Sequence, residues 1–172
     1  MVIAMFPGTF DPIHYGHIDI AERAARLFDA VIMAVYDRPL KTLMFEPDER
    51  MALVKQAFQD NPKIRVTGYS GLTIDFARKM HAQVIVRGLR VFSDFEFEFR
   101  MALANQRLAP DIETVALITA EQHTFLSSST VREIAALGGD VSSMVPPYVE
   151  KALRSKVTSL GDQHSPPNAL RD

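Results

Sequence analysis

Two histidines three residues apart, His14 and His17, follow a turn written Phe6-Pro-Gly-Thr-Phe-Asp-Pro-Ile13. An apolar pattern of helical spacing, Ile18, Ala21, Ala25 and Phe28, comes directly after them. Imidazoles so placed at a helix start face the same way and can donate hydrogen bonds to phosphate oxygens. Unpaired amides near Phe10 and Gly16 add donors, and the helix dipole favours negative charge at that end. Thr9 shares the position, at the carboxyl end of a strand, where open α/β sheets bind ligands and helix N-termini hold phosphate. Two other readings compete. The prolines and glycines could merely shape a tight turn with solvated histidines, or His14 and His17 could ligate zinc with Asp11 or Asp19. The chain has no cysteine and no further histidine cluster to support zinc.

A second set of candidates lies far along the chain. Arg87 and Arg90 flank Gly88 and Leu89 straight after the apolar run Val84-Ile-Val86. Guanidinium groups there share a sheet edge with His17, grip phosphate through a planar fork, and have a glycine beside them that lets backbone approach a ligand. The competing reading is a pair of structural salt bridges to Asp94, Glu96 or Glu98. Ser127, Ser128 and Ser129 before a helix make a phosphate cradle, although Thr130-x-x-Glu133 also reads as a capping box that needs no ligand. Alone, Lys41 reads as a solvated loop lysine and Thr73 as a helix N-cap. Phe92, Phe95 and Phe99 recur at helical steps and read as core or subunit contact.

These residues need elements to bring them together. The pattern predicts strands at Val2 to Phe6, Val31 to Tyr36, Ile64 to Thr67, Val84 to Val86 and Thr114 to Ile118. Between and after them it predicts helices from near Gly16 to Phe28, Pro47 to Gln59, Thr73 to Met80, Ser93 to Leu108, Ser127 to Leu137 and Pro146 to Lys156. Alternating strands and helices imply βαβ units with right-handed crossovers. Runs apolar throughout, near Ile3, Ile32 and Ile85, suit strands covered on both faces. The expected fold is therefore α/β, a single doubly wound, Rossmann-like domain with a five-stranded parallel sheet and helices on both faces. It should occupy residues 1–157, with 158–172 as a flexible C-terminal tail in which His164 is idle. Neither a Walker-type lysine loop nor a dinucleotide glycine fingerprint occurs, so the phosphate site must be built otherwise.

Bulk properties narrow the class further. The chain has 172 residues, 47% hydrophobic and 23% charged, which suits one ordinary globular domain. A net charge of −2 with scattered basic residues argues against nucleic acid as a partner. Nothing approaches the length of a membrane span, and the opening apolar run is too short for a signal peptide. Zero cysteines suit a reducing compartment, so a soluble, cytoplasmic protein is the expectation.

His14-x-Gly16-His17 after a strand resembles the signature of the nucleotidyltransferase superfamily that includes class I aminoacyl-tRNA synthetases. The fuller string Pro7 to Ile13 with Gly16-His17 resembles the phosphopantetheine adenylyltransferase family of coenzyme A synthesis. Arg87-Gly-Leu-Arg90 followed by Asp94-Phe-Glu-Phe-Glu98 resembles the same family. Phe125-Leu-Ser-Ser-Ser-Thr-Val-Arg132 is similar to the superfamily's second signature, with Leu126 for its first isoleucine. The resemblance implies adenylyl transfer from ATP to 4′-phosphopantetheine, giving dephospho-coenzyme A and pyrophosphate. It implies that His17, Lys41 and Arg90 are catalytic and that Thr9, Lys41, Thr73 and Arg87 bind the acceptor. The ATP site it implies comprises Thr9, Phe10, His14, His17, Gly88, Leu89, Arg90 and Glu98, with His123, Thr124, Phe125, Leu126, Ser127, Ser128 and Ser129. It further implies Mg2+ held mainly through ATP and pyrophosphate oxygens, coenzyme A as a feedback ligand, and a homohexamer. Two residues depart from the family pattern, His14 in place of threonine and His123 where relatives often have tryptophan. Within the class, the alternative acceptors are nicotinamide mononucleotide and glycerol 3-phosphate. A non-catalytic coenzyme A or ATP sensor is the alternative outside it.

Overall fold

The apolar runs become strands, and every pairing among them is parallel. In the computed structural model, which describes residues 1–37 and 43–163, these are β1 (Ile3–Gly8), β2 (Ala30–Tyr36), β3 (Ile64–Tyr69), β4 (Val84–Leu89) and β5 (Glu113–Ile118), in the order β3-β2-β1-β4-β5. The crossovers are α1 (Tyr15–Leu27), α2 (Pro47–Ala57), α3 (Thr73–Lys79) and α4 (Phe92–Leu108), followed by α5 (Ser128–Ala136) and α6 (Pro147–Gln163).

Strand side chains alternate between two cores, as a period of two requires. Ala4, Phe6, Val31, Met33, Val35, Val84 and Val86 meet Ile20, Val54, Val131, Val149 and Leu153 from α1, α2, α5 and α6. Met5, Ile32, Ala34 and Ile85 point the other way, onto Ile74 and Ala77 of α3 and Ala109 and Ile112 beyond α4. Both faces are covered, so the predicted doubly wound architecture stands.

The ladder between β1 and β2 has six register pairs, Ile3↔Ala30 through Gly8↔Val35. Between β1 and β4 there are only two, Ala4↔Val84 and Met5↔Ile85. Beyond Met5 and Ile85 these two strands part, at the one place where the strand order reverses. A doubly wound sheet opens its ligand crevice there.

The differences from expectation are local. β4 does not stop at Val86: Arg87, Gly88 and Leu89 continue it because they pair with Ala116, Leu117 and Ile118 of β5. α5 is capped by Ser127, whose Oγ accepts the Thr130 amide at 3.0 Å, so Thr130 lies inside the helix rather than capping it. A short 3-10 turn, Glu121–His123, precedes it. α6 runs to Gln163 instead of ending near Lys156, so part of the expected tail is helical; His164 and the rest lie outside the described residues. No helix among the described residues is long and apolar enough to cross a membrane.

Candidate active site

After Gly8 the chain turns tightly before α1 begins. Phe10 takes a left-handed φ of 50° and its ring folds back over Gly8, where any Cβ would lie 2.7 Å from the ring. The Phe10 ring is buried edge-on to Phe6 at 5.7 Å and to His17 at 5.0 Å between centroids. Phe10 therefore braces the His17 ring with its side chain.

His14 and His17 are stacked, with ring centroids 3.7 Å apart. The His14 amide donates to His17 Nδ1 at 3.3 Å. That nitrogen is thus the acceptor, which assigns the proton to Nε2 and leaves it free to donate to a ligand oxygen. Gly16 makes room for the His14 ring, since a Cβ there would approach it to 3.1 Å. Burial, then Arg90 and His123, push the His14 pKa down to about 3. Burial, then His14, Arg90 and Arg87, hold His17 well below its ordinary 6.5. At neutral pH both rings are uncharged, so His17 can act only as a directed dipole, and the positive charge around it is that of the arginines.

Both arginines are engaged by carboxylates. Arg87 makes a bidentate pair with Glu98, both bonds 2.7 Å, and its Nη1 donates to Pro7 O at 2.9 Å across the parted strands. Arg90 binds Asp94 through Nε at 2.9 Å and Nη2 at 3.1 Å, and Leu126 O through Nη1 at 2.8 Å. Burial acts to raise the Asp94 carboxyl, but its hydrogen bonds from Arg90 carry it below the usual range. The salt-bridge reading of these arginines is thus realised in the ligand-free molecule. It does not exhaust them. A guanidinium has five N–H donors, and among the described residues each arginine uses three nitrogens on the partners named above, one N–H apiece, so two N–H groups of each are not engaged by them.

A cavity of about 330 Å³ collects Thr9, Phe10, His14, His17, Arg87, Gly88, Arg90, Glu98 and the three serines Ser127, Ser128 and Ser129. Ser128 Oγ is fixed on Pro12 O at 2.9 Å, and Ser127 caps α5, so the serine cradle is held from both sides. A second cavity of about 300 Å³ lies alongside, lined by Thr73, Tyr36, Tyr69, Leu72, Phe97 and Met101 among others. Thr9, Arg87 and Glu98 line both. They form the partition.

Five expected residues do not line the first cavity: Leu89 at the end of β4, His123, Thr124, Phe125 and Leu126. Leu126 is fully buried and contributes its carbonyl to Arg90. The His123 ring lies 6.3 Å from Tyr15, and Phe125 is largely exposed. Lys41 lies outside the described residues. The zinc reading fails on the partners of its carboxylates. Asp11 accepts from the Met44 and Phe45 amides and pairs with Arg132, while Asp19 pairs with Arg23. Sequence reasoning missed the aromatic wall of the second cavity, because Tyr36 and Tyr69 look like ordinary strand-end residues.

Three comparisons bear on this geometry. The cytidylyltransferase-like family profile matches residues 5–134. A phosphopantetheine adenylyltransferase of Roseiflexus castenholzii is 55% identical over 90% of this chain and 96% of its own length. One of Methylococcus capsulatus is 51% identical over 93% and 99%. A solved structure from Vibrio parahaemolyticus, provisionally described as a nicotinate-nucleotide adenylyltransferase, superposes with a TM-score of 0.68. It covers 90% of this chain and 99% of that one at 21% identity, a likeness of fold.

Proposed function

The chain belongs to the cytidylyltransferase-like family and to the phosphopantetheine adenylyltransferases that match it over most of its length, and on that premise we propose that it joins ATP to 4′-phosphopantetheine. The products are dephospho-coenzyme A and pyrophosphate. The observation that carries this reading is the pair of adjoining cavities with Thr9 and Arg87 in their common wall. The polar one, with histidines, arginines and serines, suits a nucleotide triphosphate. The one lined by Tyr36, Tyr69, Leu72 and Phe97 suits a long, partly apolar chain that ends in phosphate.

The acceptor phosphate is itself the nucleophile. Its second pKa near 6 leaves it largely ionised at neutral pH, so no general base is needed. An acceptor oxygen forms a bond to the α-phosphorus of ATP while the bond to the pyrophosphate oxygen breaks. His17 Nε2–H stabilises charge on the α-phosphate, and the free donors of Arg90 share it. Arg87 holds the acceptor phosphate beside Thr9 and Thr73, and Lys41 is assigned to the same phosphates. The ATP site includes Leu89 and the His123 to Leu126 stretch at its rim. Catalysis then rests on positioning and preorganised donors.

Nucleotidyltransferases use divalent metal. The residues of this chain do not fit as its cage, because Asp94 and Glu98, the carboxylates at the cavity, are taken by arginines and no triad of ligating side chains occurs among the described residues. Magnesium would enter on the oxygens of ATP and leave on pyrophosphate. α4 exposes Phe92, Phe95 and Phe99 where the core was one expectation, and this apolar face supports assembly into a homohexamer. Coenzyme A, which contains both halves of the product, is the expected feedback ligand, and the cytoplasm the expected compartment.

Mass spectrometry of products from ATP, magnesium and 4′-phosphopantetheine tests the reading. Dephospho-coenzyme A is expected. Product only with nicotinamide mononucleotide or glycerol 3-phosphate would move the acceptor, and no pyrophosphate with any acceptor would leave a sensor.

A further inference from the structure

Arg50, in the first turns of α2, is a fully buried charged side chain, and among the described residues all four of its hydrogen bonds go to main-chain carbonyls. No salt bridge among the described residues includes it. Burying a guanidinium this way is costly unless every donor is matched, so the placement of those carbonyls matters.

The β1–β2 ladder ends at Gly8↔Val35. The next residues in register are Thr9 and Tyr36. Arg50 Nη1 donates to both of their carbonyls, at 2.8 and 2.7 Å. The side chain thus supplies one more rung where the backbone ladder has stopped. Its Nη2 continues to Asp37 O at 2.9 Å, and Nε returns to Phe45 O at 3.2 Å. Thr9 and Tyr36 both line the second cavity, and Thr9 also lies in the wall shared with the first. The remaining phosphate-facing groups of the first cavity are held by other partners: Arg90 by Asp94 and Leu126 O, Ser128 by Pro12 O.

We infer that Arg50 is a positioning residue for the acceptor: by joining the Thr9 and Tyr36 carbonyls it sets the width of the second cavity and the place of Thr9 beside the reacting phosphates. The inference rests on the acceptor occupying that cavity, as proposed above. Misplacement by about 1 Å remote from the chemistry can cost on the order of 10²-fold in rate. A purely structural arginine would weaken both ligands together as the fold loosened. Arg50 should separate them.

The test compares the full-length wild type with Arg50→Met and Arg50→Lys, each checked for fold by circular dichroism and melting. Affinity for a non-hydrolysable ATP analogue is measured by calorimetry, and kcat and KM are measured against 4′-phosphopantetheine. Expected are ATP-analogue affinities within about twofold of wild type, with acceptor KM raised and kcat lowered for a combined loss of roughly 10–100-fold. Arg50→Lys should recover part of that loss, since an ammonium keeps the charge but not the fork. Should Arg50→Met fail to fold, Arg50→Lys carries the same comparison alone. The inference is overturned if the folded variants keep wild-type kcat/KM for the acceptor, or if ATP and acceptor affinities fall by the same factor. A wild type that makes no dephospho-coenzyme A overturns the functional reading instead, and direct calorimetry with 4′-phosphopantetheine still reads the effect of Arg50 on that cavity.

Discussion

The two halves of the sheet are built to different standards. β2 is buried along its length apart from its end residues, and its neighbours β1 and β3 each pair with it through six registers. β5, at the other edge, has only exposed and half-buried residues, with Ile118 74% exposed. α4 beside it exposes Phe92, Phe95, Phe97 and Phe99. The first half is complete in that β2 is covered, and the second incomplete in that α4 leaves apolar surface on which the proposed assembly would rest, while both hydrophobic interiors run beneath the two of them. The candidate site lies on the seam. It takes its rigid histidines from the complete half and its ion-paired arginines from the incomplete one.

That contrast can be broken or sharpened by experiment. The largest effect should come from the complete half: Met33→Ala, which empties a fully buried position in β2, should cost about 2–5 kcal/mol of stability in denaturant melts. At the seam, His17→Ala should lower kcat by about 10²–10³ with the melt little changed, corresponding to roughly 2.7–4 kcal/mol of barrier. Near-normal turnover would remove His17 from the chemistry.

Acid should act on the same pair of rings. Their folded-state pKa values lie below the unfolded value of 6.5, so below about pH 6.5 the unfolded chain takes up protons that the native state refuses. Stability should therefore fall as pH drops from 6.5, by up to about 1.4 kcal/mol per pH unit for each histidine, down to about pH 3 for His14. Replacing His14 with Thr should shallow that slope in pH-dependent melts. The smallest effect belongs to the incomplete half. Ile118→Ser should change the stability of the isolated chain by no more than about 0.5 kcal/mol, while Phe92→Ser with Phe99→Ser should reduce the assembled mass in light scattering.

Much of this was legible in the sequence because it is written locally. Continuous apolar runs marked β1, β2 and β4, the weaker patterns Ile64-Arg-Val-Thr67 and Thr114-Val-Ala-Leu-Ile118 marked β3 and β5, and turn residues with helical spacing marked α1 and its histidines. What was not legible depends on partners far away in the chain. Nothing around Arg87 says that β5 will extend β4 past Val86, since a charged residue and a glycine normally end an apolar run. Arg50 reads as a charge on an ordinary helix; only the end of the β1–β2 ladder gives it four carbonyls to hold. Ser127 and Thr130 both fit a cap, and the extended backbone of Ser127 decides between them. The ion pairs of Arg87 and Arg90 were foreseen as an alternative to ligand binding. The structure realises the ion pairs, and ligand binding through the remaining N–H groups of the same side chains is the reading proposed above.

The short pairing between β1 and β4 has a consequence for how such a molecule changes over time. Only Ala4↔Val84 and Met5↔Ile85 pair in register across the halves, yet both hydrophobic interiors run beneath this junction, Ala4, Phe6 and Val31 sharing one with Val84 and Val86, and Met5 and Ile32 sharing the other with Ile85. Substitutions in the segments that follow β1 and β4 can therefore reshape the gap while the packing beneath holds the two halves in place.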